Sequence, residues 1–256
     1  MTRLAFYDER LEKMLMLNGQ MPRASRVAFT DLENFSGRRI FELSREYWQN
    51  RETLDKQAQD YVAIASDEAA ILAYYRGTTQ YLYELSYVES SVKRQRWLKV
   101  LNHLFRLYSV KNALDVGGGI GSASLYFERR GIRCDYLDVP GRTYEYAAWR
   151  FRRHELNIRT FDATQHWPCG PYDAIIAWDV LEHLRDLDGK LSLLARCVRP
   201  GGLLVHWPTF TECEGVHLPE NQTYIDVRRY DALLKKHGFS YRGQLKPSRL
   251  SRVMRL

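Results

Sequence analysis

The segment ALDVGGGIGSASLYF, residues 113–127, places four glycines within five positions, between an apolar run and a helical pattern. A turn from a strand into a helix needs so many glycines only when a ligand must approach the bare backbone closely. Dinucleotides use the spacing G-x-G-x-x-G in this setting. That spacing fails here in both registers, because its third glycine falls on Ser122 or on Ser124. The loop therefore favours a different ligand.

The spacing that fits the loop is D-x-G-x-G-x-G, formed by Asp115, Gly117, Gly119 and Gly121. The backbone N–H groups of such a turn lie near the positive end of the following helix. An acidic side chain at the strand end repels a pyrophosphate but attracts the ammonium group of an amino acid. S-adenosylmethionine carries an ammonium group and a sulfonium, and it has no phosphate. The stretch resembles motif I of the class I S-adenosylmethionine-dependent methyltransferases.

Further segments resemble motifs of the same family and follow in the family's order. Asp138, in CDYLDVPG, lies 23 residues after Asp115, and Asp162 lies in TFDAT. The segments YDAIIAWDVLEHL, VRPGGLLV and LLKKHGF resemble the fourth strand with its turn, the entry to the fifth strand and the approach to the sixth. The resemblance extends from about residue 112 to residue 256.

The resemblance implies S-adenosylmethionine as the cofactor and S-adenosylhomocysteine as the product of methyl transfer. It also implies which residues contact each part of the cofactor. These are Asp115 and the glycines for the methionine end, Asp138 and Val139 for the ribose, Asp162 and Ala163 for the adenine, and Trp178 and Asp179 at the junction with the acceptor. A carboxylate in the position of Asp138 can accept hydrogen bonds from both ribose hydroxyls.

Methyl transfer from a sulfonium is an in-line displacement, for which positioning supplies much of the acceleration. An oxygen or nitrogen acceptor also needs a base near its proton, and His183 in DVLEHL is the candidate. Asp179, Glu182 and His183 resemble an acid-x-x-Glu-His cluster of ubiquinone-type O-methyltransferases, which in some members holds a divalent metal. Because those enzymes carry a glutamate where this sequence has the shorter Asp179, we expect no metal here.

Candidate contacts to the acceptor come from two histidines and three tyrosines. His206 ends the fifth predicted strand, where open α/β sheets bind ligands, and His217 lies on a later loop. Tyr74, Tyr75 and Tyr81 belong to a tyrosine-rich stretch, and tyrosine offers an apolar face with a polar tip. The same tyrosines also fit a helix face packed on the sheet domain or on a second copy of the chain in a homodimer. Each histidine also fits an ordinary hydrogen-bonded position.

The elements that must position these residues change in character after Ser109. The sequence of residues 1–107 predicts a helical region, which we expect to cap the active site or to mediate dimerisation. Residues 108–256 alternate short apolar runs with amphipathic segments, which predicts a mostly parallel sheet covered by helices. Together with the resemblance, the pattern predicts an α/β fold with a Rossmann-like sheet of seven strands. The sheet ends in an antiparallel hairpin, and an N-terminal helical extension precedes it.

The apolar runs also give approximate bounds for these elements. Strands are predicted at 112–116, 134–139, 158–161, 172–178 and 203–207, and two more between Ser240 and Leu256. Helices are predicted at 122–130, 144–154, 189–198 and 227–237. The Pro-Gly-Gly sequence at 200–202 is typical of a helix end, so we expect a turn there.

Composition indicates a globular protein with a sizeable core, since the chain has 256 residues and 45% of them are hydrophobic. No apolar run is long enough to span a bilayer, and acidic residues interrupt the N-terminus where a signal peptide would be apolar. The four cysteines form no CxxC pair. We therefore expect a cytoplasmic protein with reduced thiols and no membrane partner.

The net charge of +7 is concentrated near the C-terminus, where nine basic residues and one acid follow position 227. Such a segment either forms a solvated surface or contacts phosphates. The favoured function is therefore methyl transfer to a small molecule, and the alternative is an RNA-modifying methyltransferase. Two further alternatives are a cofactor-binding fold kept for partner assembly and a dinucleotide oxidoreductase, which only the glycines support.

Overall fold

The computed structural model describes residues 23–64, 68–210, 217–244 and 252–255. Within these ranges, five helices precede the first strand. They are α1 (Arg23–Ser36), α2 (Ile40–Ile64), α3 (Glu68–Gly77), α4 (Gln80–Ser90) and α5 (Val92–Leu107). The helical character predicted for the N-terminal part is confirmed from residue 23 onward, and residues 1–22 lie outside the described chain. None of the helices in the described ranges is long and apolar enough to cross a membrane.

Seven strands form one sheet in the order β3-β2-β1-β4-β5-β7-β6. The strands are β1 (Asn112–Val116), β2 (Arg133–Asp138), β3 (Thr160–Asp162), β4 (Tyr172–Trp178), β5 (Val198–Trp207), β6 (Ser240–Gln244) and β7 (Arg252–Arg255). Neighbours from β3 to β5 are parallel, whereas β7 is antiparallel to β5 and to β6. The predicted fold class is confirmed. The residues that connect β6 to β7, 245–251, lie outside the described chain.

Helices cover both faces of the sheet. The remaining helices are α6 (Ser122–Glu128), α7 (Arg142–Arg153), α8 (Leu187–Cys197) and α9 (Val227–Lys236). Leu114 of β1 belongs to a core cluster with residues of α8 and α9, while its neighbour Ala113 packs with residues of α5 and α6. Strands covered on both faces are apolar along nearly their whole length, which is why their positions were predictable.

The turn predicted after the third helix of this domain is wrong, although the helix end itself is placed to within one residue. Helix α8 ends at Cys197, and Val198 already pairs with Tyr172 as the first residue of β5. The Pro-Gly-Gly sequence therefore lies inside the strand rather than in a turn before it. The pairing shifts register between Tyr172 and Ala174, so a bulge absorbs these residues.

A buried ion cluster around Arg150 of α7 joins the helical region to the sheet domain. The guanidinium of Arg150 donates to both carboxylate oxygens of Glu89 at 2.8 Å and to Asp31 at 3.0 Å. It also donates to the backbone oxygen of Ile120 at 2.9 Å, and Ser122 Oγ donates to Glu89 at 2.5 Å. Burial opposes the charge, but the Glu89 carboxylate outweighs it and holds the pKa of Arg150 above its usual value. The cluster therefore links α1, α4 and α7 to the glycine loop.

We predict that Arg150→Met lowers the free energy of unfolding by about 3–5 kcal/mol, because it leaves the buried carboxylate of Glu89 without its cation. Asp31 keeps its contacts with Arg153 and His154. Urea unfolding measures this loss. Arg152→Met is the matched control, since Arg152 lies exposed on the same helix. The control should change the free energy of unfolding by no more than about 0.5 kcal/mol. Equal effects of the two substitutions would contradict the role given to the cluster.

Candidate active site

A cleft opens at the carboxyl ends of β1 and β4. The chain continues from β1 to β2 and β3 on one side, and from β4 to β5 on the other. Open α/β sheets bind ligands at this point, where the connections leave in opposite directions. The cleft has a volume of about 390 Å³. Its walls are the glycine loop, the ends of β2 and β4, the turn after β3, and residues of α3 and α4.

The glycine loop brings bare backbone to the cleft. Gly117, Gly118 and Gly119 line it, and Gly117 and Gly119 have φ values of 61° and 56°. A side chain on Gly117 would overlap Val180, which lies across the cleft after β4. Gly121 does not line the cleft but faces Phe151 of α7, where a Cβ would also overlap. The loop glycines thus serve both ligand access and helix packing.

Asp115 lies behind the loop rather than in the cleft. Its Oδ2 accepts hydrogen bonds from Ser124 N at 3.1 Å and from Ser124 Oγ at 2.7 Å, and the side chain is buried. The implied contact of Asp115 with the methionine end is therefore not what the structure shows, because its carboxylate binds the first turns of α6 instead. Asp115 shapes the loop on which the ligand would rest.

Asp138 lies in the cleft at the end of β2. Gly119 N donates to its Oδ2 at 2.7 Å, and Val139 N donates to its Oδ1 at 2.6 Å. Tyr136 Oη lies 3.3 Å from Oδ2. Burial raises the pKa of Asp138 to about 6, although the two backbone N–H groups oppose the shift. A carboxylate held in this way can accept hydrogen bonds from two hydroxyl groups of a ribose. Val139 lines the cleft beside it.

The turn after β3 supplies Ala163 and Trp167 to the cleft, but not Asp162. Asp162 Oδ1 accepts hydrogen bonds from Thr164 N at 2.8 Å and from Thr164 Oγ1 at 2.6 Å. The implied adenine contact by the Asp162 side chain is therefore corrected, because this carboxylate closes the turn. Trp167 was not predicted. Its Nε1 donates to Ala163 O at 2.9 Å, which fixes an aromatic surface beside the cleft.

Trp178 and Asp179 both line the cleft at the end of β4, as the resemblance implies. Asp179 has φ at 50°, in the left-handed region that few residues other than glycine adopt. Its backbone N–H donates to Trp207 O at 3.1 Å, and Thr209 Oγ1 donates to its Oδ1 at 3.2 Å. The exposed surface of Asp179 faces the cleft, and desolvation by the surrounding protein raises the pKa of this carboxyl.

The tyrosines of the helical region divide between two cavities. Tyr75 of α3 and Tyr81 of α4 line the cleft, with stacked rings whose centroids are 6.2 Å apart. The Tyr75 hydroxyl is buried and has no hydrogen-bond partner among the described residues. Tyr74 instead lines a separate cavity of about 750 Å³ among α1 to α4, and it accepts a hydrogen bond from Gln80. The predicted acceptor contact by Tyr74 is therefore corrected, because this side chain does not line the cleft.

His183 lines the cleft and is grouped with Glu182 and His217. One ring nitrogen of each histidine and one carboxylate oxygen of Glu182 all lie within 4.8 Å of one another. Glu182 is buried: its Oε1 accepts from Thr209 N at 2.7 Å, while its Oε2 has no hydrogen-bond partner in the described chain. Burial raises the pKa of Glu182, and the carboxylate of Asp179 raises it further.

This group has the composition of an acid–base site and of a divalent metal site alike, since two imidazoles and a carboxylate suit both. The sequence did not predict the group, because His217 lies 34 residues after His183. A loop after β5 brings the two rings together, with centroids 4.9 Å apart. The expectation of no metal rested on Asp179 and stays a prediction.

His206 does not reach the cleft. Its side chain is buried, and its Nδ1 lies 3.2 Å from the hydroxyl of Tyr230 in α9. The predicted acceptor contact by His206 is therefore corrected. Side chains alternate along a strand, and this position of β5 faces the helix that covers the sheet.

The sheet order, the bare glycine loop and the carboxylate of Asp138 define a class I S-adenosylmethionine-dependent methyltransferase. The chain belongs to the methyltransferase domain family, whose sequence model matches residues 88–242. S-adenosylmethionine is the cofactor of this class. The residues fit it, because the bare backbone of Gly117, Gly118 and Gly119 lines the cleft and Asp138 presents a hydrogen-bonded carboxylate to it. The match begins near the end of α4, at Val88, so the family's region includes helix α5 of the N-terminal part.

Two curated relatives show how far the similarity extends. A polyketide synthase-nonribosomal peptide synthetase, ACE1 of Pyricularia oryzae, is 27% identical over 173 residues, which are 56% of this chain and 4% of that protein. A demethylmenaquinone methyltransferase of Tropheryma whipplei is 24% identical over 147 residues, which are 57% of this chain and 62% of that protein. The chain thus spans less than two thirds of the length of these relatives.

A solved S-adenosylmethionine-dependent methyltransferase of Clostridium acetobutylicum has the same fold. It superposes with a TM-score of 0.53 at 11% sequence identity. The superposition covers 68% of this chain and 98% of that structure. At this identity the comparison supports the fold alone, and the site residues stand on their own geometry.

We predict that the affinity for S-adenosylhomocysteine falls as the pH drops through about 6, the pKa of Asp138. An ionised carboxylate can accept hydrogen bonds from both ribose hydroxyl groups, whereas a protonated one has fewer acceptor sites. Below the pKa, the affinity should fall by up to roughly tenfold per pH unit, and above it the affinity should level off. Calorimetric titrations between about pH 5 and pH 7 measure this dependence.

Asp138→Asn is the control, because it keeps the shape of the side chain and cannot ionise. We expect this variant to bind S-adenosylhomocysteine weakly and with no change across the same range. If the variant kept the pH dependence of the unmodified protein, another group would be responsible for it.

Proposed function

We propose that this protein transfers a methyl group from S-adenosylmethionine to a small-molecule acceptor by in-line displacement. The observation that carries the proposal is the group of Glu182, His183 and His217, of which His183 lines the cleft together with Tyr75 and Tyr81. Helices α3 and α4 form one wall of the cleft, which leaves a volume of about 390 Å³ for ligands. Because the cofactor occupies much of this volume, the space that remains favours a compact acceptor over a folded polymer.

Bound S-adenosylmethionine supplies an electrophilic methyl group on its sulfonium. The chain's own residues would orient it: Asp138 would accept hydrogen bonds from the ribose hydroxyls, Ala163 and Trp167 would contact the adenine, and Asp179 would face the amino group. These assignments follow from the side chains that line the cleft and from the order of the strands that carry them. Desolvation and fixed geometry contribute the larger part of the acceleration.

On the acceptor side, His183 is the proposed base. One of its ring nitrogens would accept the proton of an acceptor hydroxyl or amine. The buried carboxyl group of Glu182 lies beside both histidines and stabilises the imidazolium. Tyr75 directs its hydroxyl, which lacks a hydrogen-bond partner among the described residues, toward the acceptor from the helical wall.

The relatives support an acceptor of low molecular weight. They include a demethylmenaquinone methyltransferase and polyketide synthase proteins. Together with Tyr75, Tyr81 and Trp167, which give the cleft aromatic walls, this supports an apolar or aromatic acceptor.

The RNA alternative depends on the basic C-terminal segment. In its described part, Lys236 donates to Asp188 at 2.6 Å, and Arg229 donates to Thr223 at 2.6 Å and lies 3.8 Å from Asp226. These pairings support a solvated surface. A steep salt dependence of RNA binding would favour the alternative.

The experiment that tests the proposal uses S-adenosylmethionine with a labelled methyl group. The protein is incubated with cell extract that has been divided into small-molecule, RNA and protein fractions, and the label in each fraction is counted. We expect label in the small-molecule fraction. Label confined to RNA or to protein would overturn the small-molecule proposal. Binding of the cofactor with no label in any fraction would favour a fold that no longer catalyses.

We predict that His183→Asn lowers kcat by at least roughly 100-fold with the acceptor identified in this way, because the base is removed. Calorimetry should show that cofactor binding persists, which separates a lost base from a lost fold. His103→Asn is the matched control, since His103 is exposed on α5 and outside the cleft. An unchanged kcat in His183→Asn would exclude His183 as the base.

A further inference from the structure

Three cationic side chains line the cleft, and each has a different environment. Arg185 pairs with Glu220, with Nη1 and Oε1 3.3 Å apart. Lys190 lies with Nζ 5.3 Å from the ring centre of Trp167, on the side where β3 ends. Arg94 lies on the opposite side, near the ends of β1 and β4.

Arg94 is held flat against an aromatic cluster. Its Cζ lies 3.8 Å from the ring centre of Trp178, a close cation–π distance. Trp178 is itself stacked on Trp207 at 5.4 Å and contacts Trp97 edge-on at 5.8 Å. Arg94 lies in the first turn of α5, where the Ser91 side chain accepts a hydrogen bond from its backbone N–H. The side chain is therefore placed by packing before any ligand binds.

No hydrogen bond or ion pair joins the guanidinium of Arg94 to another side chain in the described part of the chain, although the group is half-buried. Burial lowers the pKa of Arg94, and the carboxylates of Asp115, Asp179 and Glu89 counteract this effect only in part. A half-buried guanidinium whose N–H groups lack protein acceptors gains most from an anion that accepts hydrogen bonds from both of its terminal nitrogens.

The order of the strands indicates which part of the cofactor would lie near Arg94. The strand-end residues of the cleft follow the sheet, with Ala163 after β3, Asp138 at the end of β2 and Trp178 at the end of β4. An adenosine that lies over β3 and β2 directs its amino-acid part toward β1 and β4. That part carries one carboxylate and one ammonium group, and the cleft presents Arg94 and Asp179 there.

We propose that Arg94 binds the α-carboxylate of S-adenosylmethionine through its guanidinium while Trp178 holds the guanidinium plane in place. Asp179 then faces the ammonium group, so that the two side chains together recognise the charged ends of the amino acid. This inference rests on the family's cofactor and not on the proposed acceptor. The sequence did not indicate it, because Arg94 lies in the run KRQR, which is typical of a solvated helix face.

The test compares ligands that differ only in the amino-acid part. S-adenosylmethionine, its decarboxylated form and 5′-methylthioadenosine are titrated calorimetrically into the full chain and into Arg94→Met. We expect Arg94→Met to weaken S-adenosylmethionine binding by roughly 10- to 100-fold. Binding of 5′-methylthioadenosine, which lacks the amino acid, should remain unchanged and so shows that the variant is folded.

The decarboxylated form gives the sharper readout. The unmodified protein should prefer S-adenosylmethionine over it, and Arg94→Met should lose that preference. Arg94→Lys should recover part of it, because an ammonium restores the charge without the planar fork. Arg96→Met is the matched control, since Arg96 is exposed on the same helix, and it should bind all three ligands normally.

Several results would overturn the proposal. One is an equal loss of affinity for all three ligands in Arg94→Met, which would indicate a general defect of the cleft. Another is undiminished discrimination between S-adenosylmethionine and its decarboxylated form. A third is normal cofactor binding with a raised KM for the acceptor, which would make Arg94 an acceptor contact. Because the titrations need no acceptor, a failure of the proposed small-molecule reaction leaves them interpretable.

Discussion

The guanidinium of Arg150, buried between the carboxylates of Glu89 and Asp31, is the interaction on which the rest of the site depends. The three charges come from three helices that lie far apart in the chain, so the cluster forms only when the helical region packs on the sheet domain. Buried charges contribute little net stability compared with apolar packing, but an unpaired one is costly. The cluster therefore favours a single position of the helices over the sheet.

That position determines the cofactor cleft. Arg150 donates to Ile120 O, and Glu89 accepts from Ser122, so the same cluster holds both sides of the loop's exit into α6. Helix α4, which carries Glu89, also carries Leu85, which would collide with a side chain on Gly119. The glycine loop is thus confined from behind by Asp115 and from above by α4, and bare backbone is left where the ligand lies.

The sequence predicted the sheet well, because parallel strands covered on both faces are short apolar runs whose positions need no tertiary information. It predicted the site less well. Asp115, Asp138 and Asp162 all lie at strand ends, yet only Asp138 faces the cleft, because the other two carboxylates bind hydroxyl and backbone groups of the next turn. The sequence named His217 as an acceptor contact but not its grouping with Glu182 and His183, because a loop far along the chain carries it. It did not indicate Arg94, because a helix outside the motifs brings that residue to the cleft.

The central claim is that one cofactor site is built jointly by the glycine loop and the helical region. Hydrogen–deuterium exchange with and without S-adenosylhomocysteine tests it most directly, because it reports on every segment at once. The account predicts that the ligand slows exchange in residues 117–122 and also in residues 80–94. Slower exchange in the loop and the strand ends alone, with residues 80–94 unaffected, would contradict it.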